Sequence, residues 1–157
     1  MSTLYTSEEI NAIVSAPMQV GMAVALVDMG IISTAIEAAA MTRTIAGAAK
    51  KYPDNAIIQA AFADETLKDV KFERPDVKPE AIKSGAYVEA EIAEAHQVLA
   101  ILRDRATEAE IMEYKQFIYD CGEAVAKAAG SGLFGTGAKV SEAEAQTLAK
   151  LRTALAL

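Results

Sequence analysis

A chain of 157 residues, 52% apolar and 24% charged, is long enough to bury a hydrophobic core without staples and too apolar to be a disordered segment. Its net charge of −7 and pI of about 4.8 repel phosphate backbones and anionic lipid, which excludes nucleic acid as a partner and disfavours a membrane surface. The single cysteine, Cys121, allows no internal disulfide.

The first residues, Met1 to Glu9, carry no basic stretch followed by an apolar one, so they do not read as a secretory signal, and a cytoplasmic protein of bacterial type is expected. Thr6-Ser-Glu-Glu9 fits a capping box, in which the hydroxyl satisfies a first-turn amide and the Glu reaches back to the cap's own amide. It predicts a helix over 7–15. Pro17 suits the first turn of a second helix over 17–27, where a missing N–H costs nothing. Asp28-Met-Gly30 reads as a turn, followed by a third helix over 33–51 that Tyr52-Pro53 stops, and a fourth over 54–67. Met18 to Met41 has about the length of a bilayer span, but Asp28, Gly30 and Glu37 interrupt it and no aromatic belt flanks it. It therefore reads as two buried helices around a glycine turn.

Residues 68–78 form a charged loop whose Pro75 resists helix. A fifth helix over 79–105 starts at Pro79, a sixth over 108–129 at the box Thr107-Glu-Ala-Glu110, and a seventh over 142–156 at the box Ser141-Glu-Ala-Glu144. Apolar stripes mark one face of each: Ala81, Gly85, Val88, Ile92, Ala95, Leu99 and Leu102 on the fifth; Ile111, Tyr114, Ile118, Cys121, Val125 and Ala128 on the sixth; Glu144, Leu148, Leu151 and Leu155 on the seventh. No alternating run proposes a sheet. The chain reads as all-α, a bundle of about six to seven helices in one domain over 1–157, with two long antiparallel helices near residues 79–129. The abundance of Ala predicts closely approaching helices.

Gly130-Ser-Gly132-Leu-Phe-Gly135 matches a dinucleotide-loop string but follows a helix rather than a strand, so it reads as a helix end and a turn. His96 is the only histidine and has no Glu three residues before it, so a di-iron bundle motif is not available. Cys121 has no neighbouring cation to activate it and reads as a small buried hydrophobe. Glu89, Glu91 and Glu94 read as a solvated face, and Tyr87, Tyr114 and Tyr119 as core edges.

Two segments echo each other: helix, glycine turn, β-branched residue, serine cap, acidic residue in the next first turn. The pattern Asp28-x-Gly30-x-Ile32-Ser33-x-x-x-Glu37 resembles the acidic turn of the TerB-like helical proteins of tellurite resistance. In the second copy, ending at Ser141 and Glu144, Thr136-Gly137 stands where the Asp would be. The resemblance implies an all-α bundle whose acidic residues Asp28, Glu37 and, if the chain ends meet, Glu144 hold a divalent hard cation such as Ca²⁺, Mg²⁺ or Mn²⁺. From the residues themselves, with no assembled catalytic set, the expected function is a non-enzymatic interaction module that self-associates or binds another protein. The alternative is an acidic protein that binds a divalent metal or a small ligand.

Overall fold

A computed structural model describes residues 4–27, 34–70, 76–130 and 140–157. The described residues form eight helices and no strand: α1 Ser7–Leu26, α2 Thr34–Lys51, α3 Ala56–Ala61, α4 Asp64–Asp69, α5 Pro79–Lys83, α6 Ala86–Leu102, α7 Glu108–Gly130 and α8 Glu142–Leu155. The all-α helical bundle expected from the periodicity is what the chain builds.

All three capping boxes form. The Thr6 amide donates to Glu9 Oε2 at 2.8 Å and the Glu9 amide to Thr6 Oγ1 at 3.2 Å. The corresponding pairs are 2.8 and 3.2 Å at Thr107 and Glu110, and 3.0 and 3.1 Å at Ser141 and Glu144. These contacts span three residues, so local sequence is sufficient to specify them.

Pro17 corrects the reading of the first two segments. They are one helix, α1, with Pro17 inside it. A proline at this position cannot donate to the carbonyl four residues back, at Ile13. The Tyr114 hydroxyl donates to that carbonyl instead, at 2.7 Å in the core. Burial holds the Tyr114 hydroxyl well above its ordinary pKa, so it stays a donor.

Two further segments divide. Residues 54–67 split into α3 and α4, because Phe62 leaves the helix to pack edge-on against Phe117, with ring centroids 4.9 Å apart. Residues 79–105 split at Gly85, whose φ of +77° is left-handed backbone that glycine adopts without a Cβ penalty. Gly85 is therefore the N-cap of α6 rather than a member of a continuous stripe. Beyond it, Val88, Ile92, Ala95 and Leu102 are buried as expected.

α1 is the centre of the bundle. It packs along α7 on one side and α6 on another, and also meets α2, α3 and α8, while α7 packs in turn against α2 and α8. The faces of α6 and α7 thus meet α1 rather than chiefly each other. Glycines mark two close approaches. A Cβ on Gly21 would stand 2.7 Å from Met41 Sδ on α2, and one on Gly122 would stand 3.2 Å from Val24 Cγ2 on α1 and 3.4 Å from Leu148 Cδ2 on α8. By length and composition α1 is the one described helix long and apolar enough to cross a bilayer; here its buried face, including Ile13, Val14, Val20 and Val24, is in the protein core.

Candidate functional site

The C-terminal turns of α1 bring Gly21, Met22, Ala25 and Leu26 to one wall of a cavity of about 480 Å³. The opposite wall is the start of α2, with Glu37, Ala38 and Met41. Asp76, Val77 and Ile82 close a third side, ahead of and within α5, and Val125 of α7 contributes from the core. The small residues Ala25 and Ala38 leave the space that larger side chains would fill. The volume lies in the range of small-molecule sites, which are about 300–1,000 Å³.

The polar side chains on the described wall are both carboxylates. Glu37 is 3% exposed and lies in the first turn of α2, where the positive end of the helix dipole favours a negative charge. Asp76 is exposed, at the rim. No Lys, Arg, His, Cys, Ser or Thr is among the described lining residues. The described arrangement can hold a molecule, and among its described residues the carboxylates are the only nucleophiles.

The residues expected to hold a cation fall in different places. Asp28 lies outside the described residues. Glu37 lines the cavity. Glu144 is buried in the capping box of α8, where its Oε2 accepts from the Ser141 amide at 3.0 Å, and it is not among the cavity's lining residues. Among the described residues, no group of three or more His, Cys, Asp or Glu comes together. The turn carrying the TerB-like pattern, and residues 131–139 of the glycine-rich loop, also lie outside the described residues.

His96 is exposed, and its Nε2–H donates to the Ala154 carbonyl at 2.8 Å, satisfying a carbonyl in the last turn of α8. Cys121 is fully buried, and burial pushes its thiol pKa upward, so it stays protonated. Tyr114 is in the core, Tyr87 is buried, and Tyr119 is half-buried under the Arg152 guanidinium, 5.2 Å from the ring centroid. Lys51 pairs with Asp120 and Arg105 with Glu9, each at 2.7 Å.

Glu91 departs from the expectation of a solvated face. Glu89 is exposed and pairs with Lys150 at 2.7 Å, and Glu94 is exposed, but Glu91 is 7% exposed. Neither Glu91 Oε2 nor the Tyr87 hydroxyl one turn earlier finds a hydrogen-bond partner. Burial first, then the nearby Glu94, raise the Glu91 pKa to about 7. Asn55 and Asp76 were not legible as special. Asn55 is fully buried and joins α3 to α7, donating to the Glu110 carbonyl at 3.0 Å and Glu113 Oε2 at 2.9 Å while accepting from the Ile58 amide at 3.0 Å. Its place before an apolar run is an N-cap signal; nothing local marks its contacts to α7. Among the described residues the exposed large apolar side chains are Leu4 and Met112, at 51% and 48%.

Comparison of the chain with protein-family models, with curated proteins and with solved structures gives no match.

Proposed function

We propose that this protein is a non-enzymatic helical binding protein that takes a small, largely apolar molecule into the cavity between α1, α2 and residues 76–82. The observation that carries the reading is the cavity itself: about 480 Å³, walled by Met22, Leu26, Met41, Val77 and Ile82, in a bundle that elsewhere packs tightly enough to need glycine at Gly122. Apolar walls supply the affinity and a few polar groups set the orientation. The described lining residues include no paired nucleophile and base of the kind a catalytic reading requires.

The test is to fill the space. Ala38→Trp puts an indole into the cavity from the α2 wall. The melting temperature of the native chain should rise with 1-hexanol, because a ligand that binds only the folded state stabilises it. The Ala38→Trp chain, folded by circular dichroism, should show no such rise. An equal response in both chains would place binding elsewhere and end this reading.

A further inference from the structure

We infer that Met41, seated on Gly21, sets the length of alkyl chain that this cavity accepts, an inference that rests on the cavity being a binding site. The cavity runs from the surface inward. Asp76 is exposed at its rim, whereas Val125 of α7, on another wall, is 1% exposed. Gly21 belongs to the inner part. A Cβ there would stand 3.5 Å from Val125 Cγ2, 3.4 Å from Met41 Cγ and 2.7 Å from Met41 Sδ. The Met41 thioether therefore lies against the bare backbone of α1, beside Val125, in the place a side chain at position 21 would take. Glycine is disfavoured in the interior of a helix. At position 21, inside α1, the missing side chain is what admits Met41.

Of the two side chains at this inner end, only Met41 can give way. Val125 is β-branched and held in the core. Met41 carries Cγ, Sδ and Cε on an unbranched, rotatable stem, which fills an irregular gap and yields when pushed. Its presence or displacement therefore decides how far an occupant reaches. Apart from Glu37 and Asp76, the described lining side chains are aliphatic or thioether, and none is aromatic. They offer a ligand apolar contact along its length and no ring to stack on. An unbranched alkyl chain suits such walls. Each methylene it buries is worth about fourfold in affinity, and that gain ends where the chain meets Met41.

The n-alkanols from 1-butanol to 1-decanol, one carbon at a time, measure the room when each is titrated calorimetrically into the native, Met41→Ala and Gly21→Ala chains. In the native chain affinity should rise about fourfold per methylene and then stop rising at a limiting length. Met41→Ala should lengthen that limit by about two to three carbons, because Cγ, Sδ and Cε leave the inner end. Gly21→Ala should shorten it by about one carbon, because the new methyl takes the seat and the displaced sulfur moves into the cavity. In the double variant the limit should be the longer one, since no thioether remains to be displaced. Should Met41→Ala fail to fold by circular dichroism, the shift between the native and Gly21→Ala chains decides. One and the same limit in the native chain and the folded variants overturns the role of Met41 while the cavity reading stands. If no alkanol binds the native chain, or if binding survives Ala38→Trp, the cavity reading falls, and this inference with it.

Discussion

The hydroxyl of Tyr114 donates to the carbonyl of Ile13 at 2.7 Å, across 101 residues of sequence. That carbonyl is the one Pro17 leaves without its helical donor. A tyrosine on α7 thus completes the hydrogen bonding of α1 at the position where α1 would otherwise be expected to break. Tyr114→Phe should cost about 1–3 kcal/mol, the penalty for an unsatisfied buried carbonyl. In a Pro17→Ala background the same substitution should cost less, because residue 17 then supplies its own N–H. Denaturant midpoints of the four chains give the coupling. Equal costs in both backgrounds would show that Tyr114 does not stand in for the lost amide.

Glycine at 122 lets α1, α7 and α8 meet. Gly122→Val should destabilise by about 1–3 kcal/mol, since its γ carbons add to a position where a Cβ alone already meets the buried side chains of Val24, Leu148 and Leu151. Gly21→Ala should cost less despite the shorter contact, because the obstacle is the mobile sulfur of Met41 and alanine recovers about 0.5–1 kcal/mol of helix propensity. Thermal unfolding of the two variants should rank them in that order.

Glu91 predicts a loss of stability toward alkaline pH. Its carboxyl ionises near 7 in the folded protein against an ordinary value of 4.5. Between those values the folded state keeps a proton that the unfolded chain has released, so stability falls as pH rises through this window and stays reduced above it. Glu91→Gln should be stabilising by about 1–3 kcal/mol at pH 8 and nearly neutral at pH 4. Melting temperatures of both chains across this range check it, and parallel curves would mean that Glu91 ionises normally. The acid limb has the opposite sign. The Thr6 amide and Arg105 hold Glu9 low, and the Thr107 and Ala56 amides hold Glu110 low, so their stabilisation is lost as pH falls below the ordinary carboxylate range.

Glu144 caps α8. Glu144→Gln keeps the reach to the Ser141 amide but loses the charge, and Ser141→Ala removes the hydroxyl acceptor. Ser141→Ala should cost about 1 kcal/mol and speed hydrogen exchange at the Glu144 amide. The native chain's stability should not change between a chelator and millimolar Ca²⁺. A rise with Ca²⁺ in the native chain that Glu144→Gln abolishes would instead assign this carboxylate to a metal.

Helix existence, the three capping boxes and the apolar stripes of α7 and α8 were determined by sequence alone. Each depends on residues three or four positions apart, where chain geometry leaves little choice. The small residues along α1 and α7 likewise announced close helix approach. What only tertiary structure decided depends on partners far away in the chain. Pro17 stays inside a helix because Tyr114 arrives from α7. Residues 54–67 divide because Phe62 finds Phe117. Asn55 is satisfied in the core because Glu110 and Glu113 are there to receive it. Glu91 reads locally as an ordinary surface carboxylate, and its burial, like that of Glu37, is set by the helices that cover it. A helix's periodicity reports which positions are apolar, whereas the depth of a polar group and the space beside it depend on how several helices pack together.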